Sequence, residues 1–186
     1  MAMKVRSKNL EKLHNTIKCY PDWPIKGVNF KDLTPIMYHP EILRMCINEL
    51  GAELRFQDFD VILSSESRGF WFSVPLALFM DKRWVPCRKK GKLPGKTIDY
   101  SYKLEYGEAT LSIQEGSIKP GDKVLVLDDI LATGGTVSAM IELAKKCGAE
   151  ITGTAFIVNL NYLPGEKIIK EKYKLPMFSL LEYDSE

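Results

Sequence analysis

Residues 124–136 read VLVLDDILATGGT, and this stretch decides the fold. Val124 to Leu127 is an unbroken apolar run, the pattern of a strand buried on both faces. Asp128 and Asp129 close it, small residues follow, and a helical pattern runs from about Thr136 to Cys147. In an open parallel sheet, ligands bind beyond the carboxyl ends of the strands. Glycines there let the backbone approach a ligand closely and take positive φ. The amides of Ala132, Thr133, Gly134, Gly135 and Thr136 can then converge on one oxyanion. The helix dipole and the hydroxyls of Thr133 and Thr136 add to that attraction. The aspartate pair sets this run apart from other phosphate loops. A Walker loop needs a Lys before its Ser/Thr and a dinucleotide fingerprint needs GxGxxG, and neither is present. Two carboxylates beside a phosphate cradle suit a sugar diol. The expected ligand is therefore a ribose phosphate, its diol on Asp128 and Asp129 and its 5′-phosphate in the loop. A strand, turn and helix with two solvated aspartates would explain a bare TGGT, but not the whole run.

Working outward, strand and helix patterns alternate. Val61-Ile62-Leu63 is a second short apolar run, ending in Ser64-Ser65-Glu66. Gly69 to Met80 reads as a helix and Trp84 to Arg88 as a strand. Residues 88–97, RKKGKLPGKT, are basic and rich in Gly and Pro, which predicts a mobile loop. Tyr100, Tyr102, Leu104 and Tyr106 alternate with polar residues, as do Leu111 and Ile113, predicting two strands of an antiparallel flap. Thr154 to Val158 is a strand, Gly165 to Lys172 a short helix and Phe178 to Leu181 a last strand. Toward the N-terminus, Leu10, Leu13 and Ile17 fall at helical spacing, with Pro21 expected to end that helix. Pro21 to Pro35 reads as a loop, but its Trp23, Val28, Phe30 and Leu33 require it to pack onto something. Pro40 and Glu41 suit a helix start, with Ile42, Cys46, Ile47, Leu50 and Leu54 as its apolar face. The fold class expected is α/β: a mostly parallel central sheet with helices on both faces, an antiparallel flap and a small N-terminal hood. Residues 1–186 are read as one domain, with 1–36 as hood and 88–114 as flexible loop and flap.

The chain has 186 residues, 45% hydrophobic and 27% charged, with a formal net charge of +2. Such a balance predicts no nucleic-acid or membrane partner, and any anion site must come from local clustering. Cys19, Cys46, Cys87 and Cys147 form no CxxC pair, so four free thiols in a reducing cytoplasm are expected. The opening MAMKVRSKNLEKL has no apolar run like a signal peptide, and stretches such as Val74 to Met80 are too short to span a bilayer.

The 124–136 run matches the phosphoribosyl diphosphate (PRPP) motif of type I phosphoribosyltransferases. Four further segments resemble the adenine phosphoribosyltransferase family: PDWPIKGVNFKDLTPI at 21–36, ESRGF at 66–70, RKKGKLPG at 88–95 and SYKLEYG at 101–107. With FSLLEY at 178–183, the resemblance covers roughly residues 20–183. It implies transfer of a phosphoribosyl group from PRPP to adenine, giving AMP and pyrophosphate in purine salvage.

The resemblance also implies roles. Glu66, Ser67 and Arg68 would form the pyrophosphate loop, with a cis peptide joining the first two. Arg68 would also act in catalysis by stabilising the leaving group. Arg88, Lys89 and Lys92 would reach the diphosphate, partly across a homodimer interface, and Tyr106 would close the flap. Mg²⁺ would arrive with PRPP rather than on a dedicated protein site. Glu105 would manage the purine proton. Phe30 would stack on the base, Ile130 would cover its other face, and backbone groups of Asn29 and Lys31 would read its edge. Taken alone, each has an ordinary reading: Ser-Arg-Gly as a turn, the basic run as a solvated face, Glu105 as a surface carboxylate.

Asn29 departs from the family pattern, where an aliphatic residue is common. An amide reaching the base would favour a 6-oxo purine, so hypoxanthine, guanine or xanthine stay open as substrates. A non-catalytic PRPP or purine sensor is the other alternative. Only about twenty residues precede the first motif and no basic recognition helix is present, which argues against a DNA-binding regulator.

Overall fold

Leu10 and Leu13 face inward from α1 (Lys8–Thr16), which Ser7 opens by accepting the Leu10 N–H at 3.2 Å. This is a computed structural model, describing residues 7–103 and 108–185. After α1 come β1 (Lys18–Tyr20) and β2 (Phe30–Asp32), an antiparallel pair in which Cys19 lies opposite Lys31. A short α2 (Thr34–Met37) leads to α3 (Pro40–Leu54), then β3 (Val61–Ser65), α4 (Arg68–Met80) and β4 (Arg83–Lys89). β5 (Thr97–Lys103) and β6 (Glu108–Gln114) form the flap. β7 (Lys123–Leu131), α5 (Gly135–Lys146) and β8 (Glu150–Leu160) follow. A helical turn α6 (Gly165–Lys167) runs on as a π-helix over Ile168–Tyr173, and β9 (Met177–Tyr183) is last.

β3 to β9 form one sheet in the order β5-β6-β4-β3-β7-β8-β9. Its β4-β3-β7-β8-β9 part is parallel, and β6 joins β4 and β5 antiparallel. The apolar runs behave as their composition requires. Ile62, Leu125 and Leu127 pack with α1, α3 and α4 on one face, while Val61, Leu63, Val124 and Val126 pack with α5 on the other. The carboxyl ends of β3, β7 and β8 thus open toward the same edge.

Three expectations need correction. α1 ends at Thr16 rather than Pro21, because Ile17 turns extended and the chain enters β1. The segment 88–97 is not all loop: Arg88 and Lys89 finish β4, Thr97 starts β5, and the pairing of both strands with β6 holds them there. The 165–172 helix is α-helical for one turn only. β2 and the start of α2 lie inside the stretch read as loop, and β1 lies just before it, where the helix was expected to continue. The two ends of the described chain meet where the Tyr183 hydroxyl hydrogen-bonds His14 Nδ1 at 2.9 Å.

Candidate active site

β7 carries its apolar run into the two aspartates, buried at 9% and 6% exposure, and ends two residues later at Leu131. The chain then turns through Gly134, whose φ of 84° favours glycine, into α5. A cavity of about 80 Å³ lies in this turn, lined by Asp128, Ile130 and every residue from Ala132 to Thr136. The turn is held from behind by a residue the sequence did not flag. Gly165 N–H donates to Ala132 O at 3.0 Å, and a methyl on Gly165 would collide with that same carbonyl. Such close approach of two loops is open only to glycine.

Burial drives the Asp128 carboxyl well above the ordinary carboxylate range, and the neighbouring Asp129 charge adds to it. The Ser65 hydroxyl and the Asp129 N–H, 2.9 Å from Asp128 Oδ1, work in the other direction. α4 presses on the same carboxylate, since a methyl on Gly69 would stand 2.9 Å from Asp128 Oδ1. Burial raises Asp129 as well, opposed by Arg68, whose Nε lies 2.7 Å from Asp129 Oδ2. A pair of buried carboxylates pushed toward neutrality, at a sheet edge, is what a site built to accept hydrogen bonds from a ligand costs the empty protein.

The Glu66–Ser67 peptide is cis, as the resemblance implied. Glu66 itself faces the basic turn. Its Oε2 holds Arg88 Nε at 2.5 Å and its Oε1 accepts the Lys89 N–H at 3.1 Å. Arg88 Nη1 donates onward to Lys92 O at 2.9 Å. Desolvation works to raise the Glu66 pKa, but the Arg88 hydrogen bond and the Lys89 contacts outweigh it and hold the group below its usual value. Arg88, Lys89 and Lys92 are therefore brought together with Glu66. The Arg88 guanidinium is occupied by that carboxylate and by a carbonyl.

All four residues expected at the base line one cavity of about 360 Å³: Asn29, Phe30, Lys31 and Ile130. Leu160, the last residue of β8, and Tyr162 and Leu163 just beyond it also line the cavity. They were not picked out, although the rule that ligands sit beyond strand ends points at them. Ile130 and Ala132 line both this cavity and the loop cavity, so the two adjoin. Trp23 meets the Phe30 ring edge-on at 4.4 Å. Lys31 is 4% exposed, its Nζ 3.4 Å from Cys19 Sγ and 4.8 Å from the Tyr183 ring centre. Its side chain thus points into the hairpin, which leaves its backbone for the cavity. Asn29 Oδ1 is buried and accepts no hydrogen bond among the described residues. Glu105 and Tyr106 lie outside the described residues. All four cysteines are free thiols.

A model of the phosphoribosyl transferase domain matches residues 38–181. An adenine phosphoribosyltransferase from Fervidobacterium nodosum is 45% identical over 171 residues, 92% of this chain and 99% of that protein. The crystal structure of adenine phosphoribosyltransferase from Thermoanaerobacter pseudethanolicus is similar at a TM-score of 0.89 and 37% identity, over 94% of this chain and 99% of that one. The Saccharomyces cerevisiae enzyme, complexed with an imino-altritol bisphosphate and adenine, is similar at 0.85 and 34% identity, over 93% and 98%.

Proposed function

The chain belongs to the phosphoribosyl transferase family, among the adenine phosphoribosyltransferases, and we infer from this premise that it transfers the phosphoribosyl group of PRPP to adenine. The products are AMP and pyrophosphate, and the reaction is one of purine salvage. One observation carries the reading: two buried carboxylates stand beside a main-chain anion cradle whose wall, Ile130 and Ala132, is shared with an aromatic cavity.

In this reading Asp128 and Asp129 accept the ribose hydroxyls, and the amides and hydroxyls of residues 132–136 hold the 5′-phosphate. The base lies against Phe30 with Ile130 on its far side. The bond from the anomeric carbon to the diphosphate oxygen breaks, its electron pair leaving with the diphosphate. A purine nitrogen bonds the same carbon from the opposite face, inverting it. Arg68 offsets the charge of the leaving group, with Arg88, Lys89 and Lys92 brought up by the basic turn. Glu105 takes the purine proton and Tyr106 closes over the diphosphate, by resemblance. Mg²⁺ enters with PRPP. Among the described residues no third acidic, Cys or His side chain joins the aspartates in a metal-sized group.

A homodimer is also our reading. It is supported by α4, whose outer side presents Val74, Leu78 and Phe79, Leu78 being 85% exposed. A cytoplasmic setting is supported by the four free thiols. No helix among the described residues is long and apolar enough to cross a membrane. We read the chain as a single unit whose first 36 residues serve as hood, since α1 shares a core with α3 and β9.

The test is a panel of free bases with PRPP and Mg²⁺, following pyrophosphate release. Adenine should support turnover well above hypoxanthine, guanine and xanthine. Release with none of them would overturn the assignment.

A further inference from the structure

Arg68 opens α4 directly after the cis peptide, where the resemblance places it on the diphosphate. In this structure its side chain serves two other groups. Its Nε stands 2.7 Å from Asp129 Oδ2. Its guanidinium carbon lies 5.0 Å from the centre of the Phe30 ring. These are the carboxylate proposed for the ribose and the ring proposed for the base. Arg68 also lines both cavities that border Phe30, each of about 360 Å³.

A guanidinium lying over an aromatic ring takes up the space a purine would use to stack there. A base arriving first must displace it and strip Asp129, 8% exposed in its side chain, of its cation. Leaving a buried charge unpaired is costly. A diphosphate arriving first changes both terms. It offers the guanidinium a more highly charged, bidentate partner. The ribose hydroxyls of the same molecule then donate to Asp129.

We propose that Arg68 is an interlock between the two substrate sites. In the empty enzyme it bridges Asp129 and Phe30 and covers the stacking ring; the diphosphate draws it away and so opens the ring to the base. The inference rests on the proposed reading of the site. It makes base and diphosphate binding cooperative, and the coupling is reciprocal, each ligand tightening the other by the same factor.

The experiment is titration calorimetry of adenine, alone and with saturating magnesium pyrophosphate plus ribose 5-phosphate, which supplies the sugar hydroxyls; nothing in this mixture can react. For wild type, the two added ligands should tighten adenine by roughly 5- to 30-fold, the range of a cation–π contact and a modest coupling. Arg68→Gln should bind adenine unaided about as tightly as wild type does with both ligands, and gain nothing from adding them. Arg68→Lys keeps the charge without the flat surface. It should bind adenine alone more tightly than wild type does, and it decides the matter together with wild type if the Gln variant fails to fold. Equal adenine affinity with and without the two added ligands in wild type overturns the interlock, as does full coupling in Arg68→Gln. Wild type that turns over adenine but shows no coupling sinks the interlock alone. Wild type that neither binds nor turns over adenine sinks the functional reading instead.

Discussion

Gly165→Ala places one methyl group where the structure has no room. It would stand 2.7 Å from Leu131 Cδ1 and 2.9 Å from Leu131 Cγ, and closer still to Ala132 O. Ordinary carbon contacts lie at about 3.5–4.0 Å, so the facing segment must retreat by roughly 1 Å. The segment that retreats is the entry to the phosphate turn, and it also loses the Gly165 N–H to Ala132 O bond of 3.0 Å. Overpacking of this kind costs about 1–3 kcal/mol. In a chain of this length that lowers the melting temperature by roughly 2–12 °C. The functional effect is larger, because a displacement of about 1 Å in a positioning element can cost 10²-fold in rate. Initial rates with PRPP varied should show KM for PRPP rising at least tenfold, while KM for adenine moves little. A variant whose PRPP kinetics stay within twofold of wild type, with an unchanged melting curve, would refute the argument that Gly165 seats the phosphate turn.

The aspartates give a test with two readouts. Their folded pKa values are raised, so the protonated forms are favoured in the fold. That contribution to stability is present below the unfolded carboxylate range and is lost as pH rises through the raised values. Asp128→Asn should therefore melt at a higher temperature than wild type at pH 7.5, the gain fading toward pH 4 in a melting series. Asp128→Asn with Asp129→Asn should raise KM for PRPP, and wild-type kinetics in that double variant would remove the ribose assignment. Glu66 has the opposite sign, since its lowered pKa makes a contribution present above the unfolded value and lost as pH falls through the folded one. Glu66→Gln should melt a few degrees below wild type at pH 7, with the curves converging only once pH has fallen below the lowered folded value. Asn29→Val should remove a buried acceptor without a partner, worth about 1–3 kcal/mol, and raise the melting temperature by roughly 2–12 °C. Adenine kcat/KM should change little in that variant if backbone groups read the base; a large loss would show the amide contacts it.

What could be read from sequence was local. Val61-Ile62-Leu63 and Val124 to Leu127 are apolar on consecutive residues, which only a strand covered on both faces tolerates. The aspartates, Thr133, Thr136 and their glycines are neighbours in the chain, so their joint chemistry shows in one short window. The hairpin β1–β2 was missed because it carries no period: Lys18, Cys19 and Tyr20 are all exposed, and the side chain buried opposite them is a lysine. Lys31 survives there because a thiol and a tyrosine ring receive its ammonium, and both contacts come from other strands. Gly165 was invisible for a like reason, since its constraint is a carbonyl 33 positions earlier in the chain. Arg68 was placed on a diphosphate from its neighbours in sequence, whereas its partners in the empty protein, Asp129 and Phe30, lie on different elements.

The contact between His14 and Tyr183 has a meaning for how the molecule is made. Lys31, which floors the base cavity, rests on the ring of Tyr183, and Tyr183 belongs to β9, which leaves the ribosome after β7 and Gly165. The phosphate turn can assemble as soon as β7 and Gly165 have emerged from the ribosome. The nucleobase chamber needs β9 as well, so in the order of synthesis the parts that frame the phosphate turn precede the last support of the purine site.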